Sequence, residues 1–565
     1  REYLIDIIRK RRRERNKGKV VNFDETLVID ETNVVSLSSG SLGGKGRGLA
    51  FVNTLIYSFD LKRLLPEMNI KSPVTAIIGT DEFDMFMDRN RLWDKVKEEK
   101  DYKALQKCFL EGTLSLPLLK KLKTLLTLLK GPLAVRSSSL FEDSTSQPFS
   151  GVFGTYLLPN NDPDPDVRLK HLRDAIKLVF ASIYSVNART YFEAIGYKVE
   201  QEKMAIVIQS VVGHRYGDAF YPHISGTAQS FNFYPVASMT TGDGFAVMAV
   251  GLGQYVLEGE RAFRFSPALP ALVIIPVKEL ARSTQRTFYA VDMAKQKIDL
   301  LEGESAGLVT LDISQAEHDG NLKHCASVLS SENDTVIPGL DLPGPRIVNF
   351  ANILKYDYIP LAKTIKAVLD VVMEAFGAPV EIEYAVDLTK DADGNATFYL
   401  LQIKPLVGSI AGYTIEPDTV NTEDTLMVTL RSMGNGVISD ITDIVYADPE
   451  LCSNMKTQEM AEEIDIINRK MLHENRKYVL LGPGRWGTRD RFLGIPVKWP
   501  QISNAKVIVE YSFPKFHVDA SLGSHFFHNV TSMNIGYFSI DQDSEEETIA
   551  WDKLKKQKLV EKGSF

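Results

Sequence analysis

The sequence has few cysteines and no long apolar run, and both absences narrow the class of protein. The three cysteines, Cys108, Cys325 and Cys452, lie far apart among 565 residues and form neither a CxxC pair nor a Cys/His cluster. A disulfide-stapled domain is therefore not expected, and a reducing, cytoplasmic compartment fits this composition. Because no run of about eighteen apolar residues occurs, we expect no membrane span.

An excess of positive charge is also absent. The chain has 65 Lys and Arg against 73 Asp and Glu, a net charge of −8, whereas nucleic-acid-binding domains are usually basic. The exception is a basic lead-in over residues 1–20, which contains RKRRRERNKGK. We interpret it as a solvated helix end or linker, with an anionic partner as the alternative. We expect no nucleic-acid partner. Because the chain begins at Arg1, we expect a fragment or a processed product.

The length and the hydrophobic pattern indicate several compact units. A chain of 565 residues, 44% apolar and 24% charged, exceeds what one hydrophobic core holds. Apolar spacing predicts a helix over 360–379, and one long or two consecutive helices over 166–196. Apolar runs predict strands over 204–212 and 245–253. Helical and strand segments therefore alternate irregularly along the chain.

Two polar stretches have compositions that suit a phosphate. Gly43 to Gly48 reads GGKGRG and is interpreted as a Gly-rich loop before a helix, in which Lys45 supplies a mobile positive charge. It is not a GxxxxGK[ST] loop, since no Ser or Thr follows the lysine. The second stretch, GPLAVRSSSLFEDS, places Arg136 at the end of a short strand. Its guanidinium suits phosphate oxygens, and its three serines could instead cap a helix. Glu142 and the acidic residue after it could place a metal or pair with the arginine.

A predicted hairpin carries carboxylates and a cation on one face. In EIEYAVD, the two-residue period of a strand puts Glu381, Glu383 and Asp387 on one face. In FYLLQIKP the same period groups Gln402 with Lys404. Antiparallel pairing across a short turn then places Glu383 opposite Gln402 and Glu381 opposite Lys404. Such a face suits a Mg²⁺-nucleotide phosphate site. The alternative is a solvated sheet face with cross-strand ion pairs.

Six segments in order resemble one known family. They are LGGKGRGLA, LAVRSSSLFEDS with FSGVFGTY, MAIVIQSVV, SGTAQS, GLGQYVLEGE, and EIEYAVD with FYLLQIKP. Together they resemble the nucleotide-binding domain of phosphoenolpyruvate synthase and pyruvate phosphate dikinase, over roughly residues 38–407. The resemblance implies an α+β, ATP-grasp-type region over residues 21–410, with subdomains of about 21–200 and 201–410. A smaller C-terminal α/β domain over 411–565 would follow.

The resemblance implies ATP and Mg²⁺ as cofactors and assigns roles to matching positions. Glu383, with Gln402 beside it, would ligate Mg²⁺. Arg136 and Lys404 would take part in catalysis, although the family usually has arginine where Lys404 stands, and lysine lacks the bidentate fork. The implied nucleotide contacts are Lys45, Arg136, Gly151, Gly154, Thr155, Gln209, Glu258 and Gln402.

The C-terminal segment raises separate expectations. The family phosphorylates a histidine in a motif that resembles SLGSHFFHNVTS here, which makes His525 the candidate acceptor, with His528 or neither as alternatives. In GPGRWGTRD, Arg485 and Arg489 could receive an anion, or the segment could be a tight surface turn with an anchoring tryptophan. About 158 residues follow residue 407, fewer than the about 250 of a (β/α)₈ barrel, so we expect no pyruvate-binding barrel.

These patterns lead to one hypothesis and two alternatives. The hypothesis is an ATP- and Mg²⁺-dependent phosphotransferase of the dikinase type, which passes a phosphoryl group through a histidine to an unidentified small molecule or protein. One alternative is a regulatory or scaffold protein that binds ATP without turnover. The other is a direct ATP-grasp kinase or ligase that forms no phosphohistidine. A homo-oligomer is compatible with any of them.

Overall fold

The structure is a computed structural model in which most of the chain is described. The residues left undescribed are 1, 26–28, 59–60, 143–150, 195–196, 234, 236–237, 273–276, 296, 331–334, 407–423, 430, 434–436, 491, 513–525, 527–528, 531–534 and 542–546. His525 and His528 lie outside the described residues. No helix in the described part of the chain is both long and apolar enough to span a membrane.

Helices flank the sheets throughout the chain. They are α1 (Glu2–Asn16), α2 (Gly43–Ser58), α3 (Thr80–Arg89), α4 (Leu92–Glu98), α5 (Tyr102–Glu111), α6 (Leu116–Leu128), α7 (Pro165–Ala181), α8 (Val186–Ala194), α9 (Gln254–Leu257), α10 (Val277–Ser283), α11 (Ile313–His318), α12 (Ala351–Leu354), α13 (Leu361–Phe376), α14 (Thr457–His473) and α15 (Trp551–Lys555).

Strands of the N-terminal two-thirds form four sheets. They are β1 (Val20–Asn22), β2 (Val34–Ser36), β3 (Met68–Lys71), β4 (Thr75–Ile78), β5 (Leu133–Ser139), β6 (Thr155–Leu158), β7 (Met204–Ser210), β8 (His214–Tyr216), β9 (Ala219–Tyr221), β10 (Ile224–Gln229), β11 (Phe245–Ala249), β12 (Phe263–Phe265), β13 (Thr287–Asp292), β14 (Leu308–Asp312), β15 (Ala326–Ser330), β16 (Thr335–Pro338), β17 (Arg346–Val348), β18 (Val380–Asp387) and β19 (Ala396–Pro405).

The strands of the C-terminal part are shorter. They are β20 (Met427–Val428), β21 (Arg431–Met433), β22 (Asp443–Tyr446), β23 (Tyr478–Pro483), β24 (Arg485–Trp486), β25 (Gly494–Ile495), β26 (Ala505–Tyr511), β27 (Gly536–Ile540) and β28 (Thr548–Ile549). Five of them form a sheet of order β21-β27-β26-β23-β22, parallel apart from the edge strand β21. The predicted α+β class, with a smaller C-terminal α/β part, is confirmed.

Two six-stranded sheets dominate the larger part of the molecule. The first has the order β1-β2-β4-β7-β5-β6, and the second has the order β12-β11-β10-β18-β19-β3. Strand β3 comes from the N-terminal side of the chain yet pairs in parallel with β19, so the second sheet draws on both predicted subdomains. Helix α2 contacts β5 and β7 of the first sheet and β19 of the second. The N-terminus of α2 therefore lies where the two sheets meet.

Local sequence accounts for the predicted helices and their ends. The range 166–196 contains the two consecutive helices α7 and α8, of which α8 is described to Ala194. Helix α13 is capped by Gly377, whose φ of 68° lies in the left-handed region. Pro117 stands in the first turn of α6, where a missing N–H costs nothing. Ser115 caps that helix by accepting the Leu118 N–H at 3.3 Å.

Candidate functional site

A cavity of about 650 Å³ contains most of the predicted site residues. Its volume falls in the range that small-molecule sites usually have. Its walls come from both six-stranded sheets, and further residues come from the C-terminal part of the chain. The predicted residues on its wall are Lys45, Arg136, Gly151, Thr155, Gln209, Glu258, Glu383, Gln402 and Lys404.

Arg136 joins the two sheets at the centre of this site. It lies on β5, and its guanidinium donates to the Gln402 side-chain oxygen and to Glu383 Oε2, the latter at 3.2 Å. A longer bond of 3.4 Å runs to the side-chain oxygen of Gln209. The Arg136 side chain is 13% exposed, so these charge-assisted bonds form largely away from bulk water. Arg136 is the fourth of the seven residues of β5, so its predicted place at the end of the strand is wrong. It contacts both members of the predicted metal pair.

The hairpin β18–β19 has the predicted register. Glu383 pairs with Gln402 and Glu381 pairs with Lys404, and a bulge follows at Tyr384. All four polar residues are buried, with exposures of 7% or less, so the alternative of a solvated sheet face is wrong. The Lys404 ammonium contacts Glu383 Oε1 and lies 3.7 Å from Glu381 Oε1. One cation therefore pairs with two buried carboxylates.

Lys45 reaches the same cavity from the start of α2. The GGKGRG segment is the first turn of this helix, which begins at Gly43, and the loop interpretation is therefore wrong. The Lys45 ammonium contacts Glu142 and donates to Ser137 Oγ at 3.2 Å. Glu142 was expected to hold a metal or pair with the nearby arginine, but its partner is Lys45. An N-terminal helix turn with a lysine is a favourable place for an anion.

The serines after Arg136 do not cap a following helix, because β5 continues through Ser139. Ser138 Oγ instead accepts the Gly46 N–H at 2.9 Å and donates to the Leu42 carbonyl at 2.8 Å. It thereby satisfies one of the N–H groups that lack an intrahelical partner at the start of α2. The serine run therefore holds the helix that carries Lys45.

The FSGVFGT segment, which carries the implied nucleotide contacts Gly151, Gly154 and Thr155, is described only from Gly151 onward. Gly151, Val152, Phe153 and Thr155 line the cavity. Gly154 does not line it, and its carbonyl accepts the Ser137 N–H at 3.3 Å. Gly154 therefore has a structural part in joining this segment to β5.

Carboxylates on the cavity wall have raised pKa values. Burial raises the pKa of Glu258, against the opposing effect of the Arg489 guanidinium 2.9 Å away. Glu304 is solvent-accessible but enclosed closely enough that desolvation raises its pKa to about 7. A bond from the Thr155 N–H, at 3.1 Å, and the charges of Arg489 and Lys45 oppose that rise. Desolvation therefore disfavours the charged form of both carboxylates on this wall.

Asp387 belongs to a different place from the other hairpin carboxylates. It lies at the far end of β18, where its carboxylate contacts His214 Nε2 at 2.8 Å and His223 Nδ1 at 3.3 Å. Its pKa is lowered by hydrogen bonds from these histidines and from Thr389, which outweigh the effect of burial. The strand period predicted that Asp387 shares a face with Glu381 and Glu383, but Asp387 does not line the cavity.

Comparison with known proteins identifies the larger part of the chain. Residues 39–417 match the family described as pyruvate phosphate dikinase, AMP/ATP-binding domain, and this is well over half of the 565 residues. The chain belongs to this family. A phosphoenolpyruvate synthase of Aeropyrum pernix is 26% identical over 176 residues, which cover 31% of this chain and 19% of that relative. The matched stretch is thus a small part of the longer protein.

The AMP/ATP-binding domain contains charged and amide residues that meet at the cavity around Arg136. They are Lys45, Arg136, Glu383, Gln402 and Lys404. The most distant of these along the chain are Lys45 and Lys404, and both fall within residues 39–417. Membership supports ATP as the ligand of the cavity and ATP-dependent phosphotransfer as the general activity. The resemblance predicted from the sequence is confirmed.

Several residues of the cavity were not found from the sequence. Glu304 lies in LEGESAG, which has no recognisable motif, and its proximity to Thr155 arises only in the fold. Others come from the C-terminal part of the chain, which the family match does not reach. They are Gly487, Thr488, Pro496, Val497, Lys498, Trp499, Phe526 and Asn529. Arg489, which the sequence offered as an anion contact, lies on the same wall.

Proposed function

We propose that this protein is an ATP- and Mg²⁺-dependent phosphotransferase of the dikinase type, which passes a phosphoryl group from ATP through a histidine to a further acceptor. The observation that carries the proposal is the meeting of Lys45, Arg136 and Lys404 with Glu383 and Gln402 at one cavity of an AMP/ATP-binding domain. The acceptor would be a small molecule or a protein.

The charges suit a nucleotide triphosphate. Phosphoryl transfer needs little covalent chemistry from the protein, so catalysis rests on position and on neutralisation of phosphate charge. Lys45, Arg136 and Lys404 supply three positive charges from three separate elements. Each is already paired with a carboxylate, Lys45 with Glu142 and the other two with Glu383. The cations are therefore held in place before a ligand arrives.

The donor set fits a Mg²⁺ ion that is only partly held by protein. Glu383 and Gln402 offer oxygen atoms on neighbouring strands, opposite one another in register. Mg²⁺ commonly takes one or two protein oxygens and keeps water or phosphate oxygens as its other ligands. When bound, the ion would neutralise charge on the phosphates. Arg136, which donates to both residues, would orient these oxygens.

His525 is the proposed phosphoryl carrier. Phe526 and Asn529, which follow it closely in sequence, line the cavity that holds Lys45 and Arg136. In the transfer, a bond forms between an imidazole nitrogen and a phosphorus atom of ATP, and the bond from that phosphorus to its leaving phosphate oxygen breaks. The three cysteines are free thiols, which is in keeping with the proposed cytoplasmic location.

Labelled ATP tests the carrier step. The 565-residue chain is incubated with Mg²⁺ and ATP labelled at the β or the γ phosphorus. We expect acid-labile, base-stable label on the protein, and its loss in His525→Ala but not in His473→Ala, a control at the end of α14. Binding of ATP without label or hydrolysis would support the regulatory alternative. Stimulation of ADP formation by a small acceptor, without protein label, would support the direct kinase.

Replacement of Arg136 tests the nucleotide site itself. We expect Arg136→Ala to weaken Mg-ATP binding by roughly 10- to 100-fold, the loss typical of charge-assisted hydrogen bonds. Arg136→Lys should recover part of the lost Mg-ATP affinity. Calorimetric titration gives the affinity, and urea unfolding shows that the variant is folded. Arg476→Ala, which breaks an ion pair with Asp443 far from the cavity, serves as the control. Equal ATP affinity in Arg136→Ala and the wild type would contradict the assignment.

A further inference from the structure

The GPGRWGTRD segment, residues 482–490, lies against the nucleotide-binding domain at the wall of the cavity. Its Arg489 pairs with Glu258 at 2.9 Å, and its Asp490 accepts from Arg261 Nε at 2.9 Å. Thr488 Oγ1 and the Arg485 guanidinium each donate to the Gly259 carbonyl at 3.3 Å. Four contacts thus fix this segment, which lies beyond the end of the family match, on residues 258–261 within that match.

A buried tryptophan makes the segment a rigid platform. Trp486 is 1% exposed, its backbone N–H donates to Glu510 at 2.9 Å, and its indole N–H donates to the Val509 carbonyl at 3.1 Å. Gly487 has a φ of 75° and packs on the ring of Phe526, where a Cβ would lie 2.7 Å from a ring carbon. The anchoring tryptophan of one sequence interpretation is thus present, whereas the binding of an anion by Arg485 and Arg489 stays a prediction. A tight, anchored turn presents an arginine.

The two arginines of the segment have different surroundings. Arg485 is 8% exposed and supports the turn from inside. Arg489 has a side chain that is 59% exposed and lines the cavity. Glu258 is its ion-pair partner in the described part of the chain. The guanidinium therefore presents donors to the cavity as well as to Glu258.

Arg489 and Lys45 line the same cavity, and the charges of both affect Glu304 on its wall. The carboxylate of Glu304 accepts the N–H of Thr155, which also lines the cavity. Lys498, from the same C-terminal part of the chain, adds a further cation to this wall. The C-terminal part thus contributes positive charge to the cavity that also receives Lys45 from α2.

We propose that Arg489 binds the phosphate groups of the nucleotide, so that the C-terminal part of the chain completes the site of the AMP/ATP-binding domain. The inference rests on the proposed function, because it takes ATP as the occupant of the cavity. Glu258, which was assigned to the nucleotide, then holds Arg489 in place before ATP binds. The planar guanidinium suits phosphate oxygens in the way a lysine does not.

Binding measurements on the 565-residue chain test this proposal. Affinities for Mg-ATP and for adenosine are compared by calorimetric titration in the wild type, Arg489→Ala, Arg489→Lys and the control Arg469→Ala. Arg469 is a surface arginine of α14, paired with Asp465 outside the cavity. We expect Arg489→Ala to weaken Mg-ATP binding by about tenfold or more, with adenosine binding unchanged. The Mg-ATP affinity of Arg489→Lys should lie between those of the wild type and Arg489→Ala. The affinity of Arg469→Ala should match that of the wild type.

The possible failures are distinguishable. If the wild type binds Mg-ATP and Arg489→Ala binds it equally well, this inference is wrong and the proposed function stands. If Arg489→Ala loses adenosine and Mg-ATP affinity to the same degree, Arg489 supports the fold and does not contact phosphate, which also overturns the inference. If the wild type binds no nucleotide, the proposed function fails and the inference fails with it. Urea unfolding of each variant confirms that the folded state is compared.

Discussion

At the scale of single residues, the site is built from buried charges that are paired before any ligand arrives. Glu383 lies between Arg136 and Lys404, and the ion pairs of all three are largely shielded from water. A buried carboxylate with no partner would be neutralised by a raised pKa. Two cations instead favour its charged form, which is the form that Mg²⁺ requires. The pairing therefore stabilises the buried carboxylate and suits the proposed metal site.

Glu202 is a buried carboxylate that has no ion-pair partner among the described residues, and its burial predicts a pH dependence of stability. It is fully buried, and its Oε1 accepts the Leu140 N–H at 2.7 Å just after β5. Burial raises its pKa from 4.5 to about 7. The folded state then holds a proton that the unfolded state releases between pH 4.5 and 7. Its contribution to stability is full below pH 4.5, falls as the pH rises towards 7, and is lost above it.

Glu202→Gln removes this titration. We expect the variant and the wild type to have similar stability at pH 4.5 and the variant to gain up to about 3 kcal/mol relative to the wild type by pH 8. Urea unfolding at pH 4.5, 6, 7 and 8 measures the difference. Glu200→Gln, at an exposed position of the same turn, should show no such trend. A constant difference between Glu202→Gln and the wild type across this range would contradict the prediction.

Residue contacts were predictable where they are local in sequence. The period of a strand and one short turn sufficed to pair Glu383 with Gln402 and Glu381 with Lys404. Two partners of Arg136, Glu383 and Gln402, lie more than two hundred positions away, and only the meeting of two sheets brings them to Arg136. The pairing of Lys45 with Glu142 was missed for the same reason.

At the scale of elements, the glycines of α2 allow a close approach to the turn after β5. A Cβ on Gly44 would lie 1.3 Å from the Glu142 carbonyl oxygen, and a Cβ on Gly43 would lie 1.9 Å from the Ser138 carbonyl oxygen. Gly48, in the same helix, would place a Cβ 3.5 Å from the nearest atom, an ordinary contact. The first two glycines are therefore required by packing, whereas Gly48 is not.

Gly44→Ala is expected to push α2 away from β5. The shift would break the Lys45–Glu142 pair and the bond from the Gly46 N–H to Ser138. We expect a loss of stability of about 1–3 kcal/mol, as for other overpacked positions, and a weaker affinity for Mg-ATP. Urea unfolding and calorimetric titration measure the two effects. Gly48→Ala should be neutral or stabilising by up to about 1 kcal/mol. Equal behaviour of the two variants would disprove the packing argument.

Elements were predicted well where one pattern extends over many residues. The amphipathic period of α13 and the hairpin β18–β19 are examples. The GGKGRG segment was misread because a high glycine content favours a loop when no contacts are known. Here Ser138 and the turn at Glu142 hold the segment as the first turn of a helix. These are tertiary contacts, and no local sequence pattern predicts them.

At the scale of the whole molecule, the C-terminal part is packed on the nucleotide-binding domain and is not a separate appendage. One apolar core runs from the first six-stranded sheet, through residues such as Phe180 and Ile206, into the C-terminal sheet at Tyr478 and Ile508. The sequence predicted a boundary near residue 411 but gave no sign of this shared core, because packing between distant segments leaves no periodic pattern. Ligand binding at the cavity should therefore stabilise both the nucleotide-binding domain and the C-terminal part.

Arg261 provides the test of this coupling, since it donates to Asp490 at 2.9 Å and to the Arg282 carbonyl at 3.0 Å. We expect Arg261→Ala to loosen residues 485–490, so that their amide hydrogen exchange rises severalfold while that of β18 and β19 is unchanged. Mg-ATP should reduce exchange at residues 485–490 in the wild type and do so less in the variant. Arg346→Ala, which breaks a comparable pair with Glu317 far from the cavity, should leave residues 485–490 unaffected. If the amide hydrogen exchange of residues 485–490 is the same in Arg261→Ala and the wild type, with and without nucleotide, the prediction is wrong. Residues 485–490 are then held by the shared core alone.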